Sequence, residues 1–199
     1  VIRDSMLFVS GKLDSSIGGP SVPVSEDEVG RASIGLRKIN DGLFAGVEDV
    51  GPRKYRRSVY LQSRRTLPLN LLETFDMPIM NPNCDARRCS TVAPQSLLFL
   101  NDQSVLEFSE NMAETIMPLH PTSDERIHEV FIRLFAKGPS ANELEQCNAY
   151  LVSQRALFAA DPNPEWQKTI EKSSHAPDIR ALASLCQTLM ASNRFLYID

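Results

Sequence analysis

Histidine and cysteine are scarce in this chain, and their spacing excludes most of the chemistry they carry elsewhere. Only three histidines and four cysteines occur in 199 residues. Covalent attachment of a c-type haem needs two cysteines two residues apart with histidine directly after, and that arrangement is absent. Cys84 and Cys89, separated by four residues, make at most half of a tetrahedral zinc site. His120, His128, His175, Cys147 and Cys186 do not stand at the spacing that would complete it. A small disulfide loop in an oxidising compartment is the other reading of that pair. Cys147 and Cys186 fall on apolar helical faces, where cysteine acts as a small hydrophobe. No serine or cysteine sits in a nucleophile-elbow context. The catalytic set, the metal ligands and the cofactors expected of this chain are therefore none. No apolar run approaches the roughly 18 residues that span a bilayer, so no transmembrane segment is expected.

What is plentiful is arginine, and it is concentrated. Between Gly51 and Asn101 stand eight basic residues (Arg53, Lys54, Arg56, Arg57, Arg64, Arg65, Arg87 and Arg88) against Glu73, Asp76 and Asp85, a local charge of +5 in a chain whose net charge is −4. A basic middle between acidic ends either binds a polyanion or neutralises itself on folding, and arginine forks favour the second. Arg57, Arg65 and Arg88 lie beside residues that read as buried and are assigned to architecture. Arg53, Lys54, Arg56 and Arg64 form the candidate basic face, with sulfated polysaccharide or another polyanion as partner rather than nucleic acid. Glu73 and Asp76 are the one acidic pair in this block, but arginine neighbours would lower a carboxyl pKa, where a glycosidase acid needs it raised.

With 42% hydrophobic and 23% charged residues the chain is ordinary globular material rather than disordered. It opens at Val1 inside what reads as a helix, as a fragment of a longer protein would. Ile2, Met6 and Val9 share a helical face that Gly11 ends. Lys12 to Pro23, with Gly18-Gly19-Pro20, is a structured loop, and its glycine pair lacks the lysine and helix start of a phosphate loop. Ser25 to Glu28 reads as an acidic surface loop. Asn40-Asp41-Gly42 suggests a hairpin turn, and the alternation from Arg57 to Ser63 a short strand. Pro68 is placed in the first turn of a short helix ending near Phe75, and Pro94 at the start of one presenting Leu97, Leu98 and Leu100. Asp102 caps a helix through Val105, Phe108, Met112 and Ile116. Thr122 with Glu125 and Ser140 with Glu143 are capping boxes for an antiparallel helical hairpin. Trp166 sits in a short helix, and Pro177 opens a last helix carrying Leu182, Leu185, Cys186 and Leu189. Phe195-Leu196-Tyr197 is too apolar for a free tail and is expected to dock. The fold expected is mainly α: an irregular helical domain with a C-terminal helical hairpin and a few short strands in the N-terminal third.

Several spaced motifs recur together, nearly end to end: Ile2-Arg3-Asp4-Ser5-Met6-Leu7, Gly18-Gly19-Pro20, Arg57-Ser58-Val59-Tyr60, Arg65-Thr66-Leu67-Pro68, Phe75-Asp76 with Pro78, Cys84 with Arg87-Arg88, Thr91 with Pro94-Gln95, Leu100-Asn101-Asp102, and the ending Ser192-Asn193 with Phe195-Leu196-Tyr197. On these residues the chain resembles the C-terminal part of a planctomycete-specific domain of unknown function. That domain occurs in exported proteins that often carry a cytochrome c-like domain. The resemblance marks Arg57, Tyr60, Arg65, Pro68, Phe75, Asp76, Arg88, Gln95, Asn101 and Asp102 as structural motif residues. It implies residues 1–121 as the end of that domain, with 122–199 as a helical hairpin and terminal helix packed on it. It also implies export to the periplasm or cell surface, further N-terminal domains as partners, and any haem in another domain. The function expected is an accessory or binding module linked to polysaccharide use. The alternative is part of a hydrolase or redox enzyme whose active site another segment completes.

Overall fold

The computed structural model describes residues 2–40, 43–64, 66–75, 93–163 and 176–196. The expectations for the Asp41-Gly42 turn, Arg65, Asp76, Cys84, Arg87, Arg88, Cys89, Thr91, Trp166, His175 and Tyr197 lie outside them. The chain is mainly α and divides into two compact units, Val1–Phe8 with Lys12–Leu98, and Val9–Gly11 with Phe99–Asp199.

The first unit opens with helix α1 (Ile2–Val9), in which Met6 and Leu7 are buried. Gly11, at φ +73°, supplies the left-handed turn that ends it. Two antiparallel ribbons follow. Strand β1 (Val24–Glu26) pairs with β2 (Ala32–Ile34), and β3 (Leu36–Asn40) with β4 (Leu43–Glu48), down to the Asn40–Leu43 pair. The two strands expected to flank that turn are thus paired with each other. The acidic loop expected at Ser25 to Glu28 is instead half strand, with Ser25 buried and its hydroxyl donating to the Gly35 carbonyl at 2.8 Å. Gly35 joins β2 to β3 where β4 comes so close that any side chain would run into Val47 and the Glu48 carbonyl.

Two further expectations need correction here. Ser58–Tyr60 is a 3₁₀ turn, not a strand. It lies between two isolated parallel bridges, Asp14 with Arg56 and Val22 with Leu61, so the buried positions are five residues apart and the apparent alternation has no sheet behind it. Pro68 precedes its helix rather than starting it. Helix α2 runs from Asn70 to Thr74 with Leu69 as N-cap, whose carbonyl is the first to accept, from the Glu73 amide at 2.9 Å. Helix α3 (Ala93–Asn101) turns Gln95 and Phe99 inward, four residues apart, and leaves the expected core residues Leu97 and Leu100 more than half exposed. The Gln95 side chain donates to the Thr74 carbonyl at the end of α2 at 3.1 Å.

The second unit holds the larger apolar core. Asp102 caps α4 (Gln103–Ile116) by accepting from the Ser104 amide at 2.9 Å, and Val105, Phe108, Met112 and Ile116 are buried as their spacing requires. Both capping boxes form, Thr122 with Glu125 on α5 (Ser123–Phe135) and Ser140 with Glu143 on α6 (Ala141–Ala159). Between them Ala136 adopts the left-handed conformation at φ 53°. The hairpin does not make a core by itself, since Cys147 is the one buried residue of α6. The element that unites the unit is α7 (Ala176–Met190), which packs most extensively on α4 and α6 and buries Leu182, Leu185, Cys186 and Met190. Burial pushes the Cys186 thiol up to about 12, as for a cysteine that fills space rather than reacts. The last helix among the described residues is α8 (Asn193–Leu196), docked where Arg194 pairs with Glu143 at 3.1 Å and lies 4.3 Å from the Phe135 ring centre.

Candidate functional site

The densest set of long-range polar contacts lies in the first unit, around residues 53–62. Pro52 opens a 3₁₀ turn (Gly51–Tyr55) where a missing amide donor is no loss. The chain then extends through Arg56 and Arg57 before the second turn. Two arginines in this neighbourhood are buried, Arg3 at 3% exposure and Arg56 at 5%. Neither could be placed there without acceptors for its guanidinium.

Arg3 projects from α1 and donates to the main-chain carbonyls of Lys54 (2.6 Å) and Arg56 (2.9 Å), with a longer bond to the Ser58 hydroxyl. Burial lowers its pKa to about 10, while the neighbouring Asp4 pulls the other way, so the group stays charged at neutral pH. Asp4 completes the clasp: its Oδ1 accepts from the Ser58 amide at 2.8 Å and the Ser58 hydroxyl at 2.5 Å.

Arg56 points the other way, into the loop from Asp14 to Pro20. Its guanidinium donates to the carbonyls of Gly18 and Pro20 and, more weakly, Ser16, and lies 3.9 Å from the centre of the Tyr60 ring. The Tyr60 hydroxyl accepts from the Gly18 amide at 3.1 Å. Gly18 and Gly19 at φ +81° and +82° turn the loop carbonyls inward. A phosphate loop would aim amides at its centre; here carbonyls converge on a cation that the protein itself supplies. The loop ends are tied by the Asp14 amide to Tyr55 and by the Val22 amide to Tyr60 (2.7 Å). Asp14 stays below the usual carboxylate range because the Ser16 amide donates to it. At the tip, Ile17 is 94% exposed.

The expected basic face is thus divided. Arg56 is interior and leaves it. Arg53 is exposed, with one bond to the Ser21 carbonyl at 3.3 Å, and exposed Arg64 reaches the Val24 carbonyl at 3.2 Å. Lys54 is half-buried, 3.7 Å from Asp49 and over the Tyr55 ring. Arg57, assigned to architecture, is 58% exposed and meets a carboxylate only loosely, Asp4 at 3.9 Å. Arg56 does the bracing expected of its neighbour. Glu73 is exposed on α2. Of the motif residues, Tyr60, Gln95 and Asp102 make the specific bonds described above, Asn101 is exposed at the end of α3, and Pro68 and Phe75 are half-buried. Arg3, Asp4 and Ser58 were missed as site residues. The available signal was that Arg3 stands three residues before Met6, beside the apolar face of α1.

The second unit has a cleft of about 80 Å³ lined in part by Met117, Leu151, Val152 and Leu182. Its arginines are already engaged: Arg126 donates to the His120 and Pro121 carbonyls, and Arg155 pairs with Asp178 at 3.0 Å. Among the described residues no three metal-ligating side chains come together, and no helix is long and apolar enough to cross a membrane.

No curated protein matches this chain, and no solved structure does. Residues 1–151 match a family model described as PSD1, Protein of unknown function (DUF1553). That stretch contains all of the Arg3–Arg56 clasp and the loop it holds, and with three quarters of its length matched the chain belongs to this family.

Proposed function

We propose that this chain is an accessory, polyanion-binding module rather than a seat of catalysis. The observation that carries the reading is the division of labour among its arginines. Arg3 and Arg56 are consumed by main-chain carbonyls inside the first unit, whereas Arg53, Arg57 and Arg64 hold exposed guanidinia with at most one partner apiece among the described residues. An arginine has five N–H donors, so each of these retains several for an anionic ligand. The resemblance to planctomycete proteins supports the wider setting proposed here, an exported multidomain protein associated with a cytochrome c-like domain; the exposed arginines support sulfated polysaccharide as the polyanion.

Retention on a dextran sulfate column tests it. The protein should bind at low ionic strength and elute early in a salt gradient, because exposed charges are screened over about 8 Å at physiological salt. Arg53→Ala, Arg57→Ala and Arg64→Ala should each shift elution to lower salt without changing the unfolding midpoint. Absence of retention at low salt, or equal retention of the triple variant, would refute the proposal.

A further inference from the structure

We infer that the seating of α1 and the conformation of the Ser16–Pro20 loop are coupled through residues 54–60, so that displacing the helix releases the loop. Two clasps meet on this stretch from opposite directions. Arg3 and Asp4 of α1 fix its backbone on both sides of Arg56, by bonds to the carbonyls of Lys54 and Arg56 and from the amide and hydroxyl of Ser58. From that fixed backbone, the Arg56 guanidinium and the Tyr60 hydroxyl hold the carbonyls of Gly18 and Pro20 and the amide of Gly18.

Apart from the local bond of the Ser16 amide to Asp14, the loop has little else to order it. Ile17, its large apolar residue, is almost wholly in solvent and contributes no burial. The adjacent glycines lose more backbone freedom on ordering than any other residue type. Its conformation is therefore set by where Arg56 and Tyr60 stand, and the guanidinium fork tolerates little displacement before its bonds fail. Where Arg56 stands is in turn set by α1. Coupling of this kind is reciprocal: a partner that seizes the loop would tighten α1, and one that draws α1 away would free Ile17.

The test is amide hydrogen exchange of the whole chain by NMR, in Asp4→Asn and in Ser58→Ala, neither of which alters a loop residue. The reporters are the Asp14 and Val22 amides, which tie the loop ends to Tyr55 and Tyr60. Loss of a charge-assisted bond should speed exchange at these amides about tenfold or more. The Asp27 amide, bonded to Arg31 in the neighbouring turn, should keep its rate. Combining Asp4→Asn with Tyr60→Phe should then give less than the product of the two separate effects. Unchanged exchange at Asp14 and Val22 in both variants overturns the coupling. So does equal acceleration at Asp14, Val22 and Asp27, which would mark general loosening.

Discussion

Replacing Arg56 with lysine keeps the charge and removes the fork, and the structure says what that should cost. The guanidinium donates to the Gly18 and Pro20 carbonyls at once, reaches toward Ser16, and stacks on Tyr60 at 3.9 Å. An ammonium on a flexible stem satisfies fewer of these carbonyls and cannot stack as a plane. Losing one charged hydrogen bond costs about 1.5–3 kcal/mol, and losing the stacking about 0.5–1 kcal/mol. Arg56→Lys should therefore destabilise the first unit by about 2–4 kcal/mol, a large part of the roughly 5–15 kcal/mol that holds a domain together. Arg57→Lys is the matched control. Its side chain is 58% exposed and its carboxylate stands 3.9 Å away, so the change should fall within about 0.5 kcal/mol. Far-ultraviolet circular dichroism is the wrong probe, because the long helices of the second unit dominate it. The ring proton resonances of Tyr55 and Tyr60 should instead be followed by NMR along a urea titration, with calorimetry beside it. An Arg56→Lys midpoint matching that of Arg57→Lys would show that the guanidinium does not brace the loop.

The remaining predictions concern the second unit. Glu125 and Glu143 are held below the usual carboxylate range, first by the Thr122 and Ser140 amides that donate to them. Their folded pKa lies under the unfolded one, so the stability they add is present above about pH 4.5. It is lost as pH falls through the lower folded value; Glu125→Gln with Glu143→Gln should flatten that part of the stability–pH profile, and an unaltered acid limb would count against the caps. Leu182→Ala, at a position 1% exposed on α7, should cost about 2–5 kcal/mol. Leu134→Ala, at 8% exposure, should fall toward the lower end of that range, and a reversed order in urea midpoints would contradict the placement of the core on α7.

How much of this was legible depended on how local each signal is. The capping boxes at Thr122 and Ser140 and the cap at Asp102 need only a residue and its third or second neighbour, and each forms as read. The inward face of α4 follows from spacing alone. The clasp was not legible, because it joins residues more than fifty positions apart and nothing in the run Arg53 to Arg57 marks Arg56 as the one that turns inward. The misread strand at Arg57 to Ser63 has a similar origin. Two isolated bridges place Arg56 and Leu61 inside, and no local period encodes bridges to Asp14 and Val22. In α3 the leucines drew the eye, but the packing chose Phe99 and Gln95, whose amide has a carbonyl to meet.

The family match stops at residue 151, in the middle of α6, while α7 begins at Ala176. Yet Gln187 of α7 donates to the Phe99 carbonyl at 2.8 Å, and Ser109 of α4 lies 4.0 Å from the Met190 sulfur. A gene segment cut to the matched length would encode Phe108, Met112 and Ile116 without the surface that keeps them dry, and its product would present a greasy stripe for chaperones and for its own copies. The piece that can be moved between hosts, fused or expressed alone has to run past Met190, so the statistical edge of the family and the physical edge of the folding unit are different places on this chain.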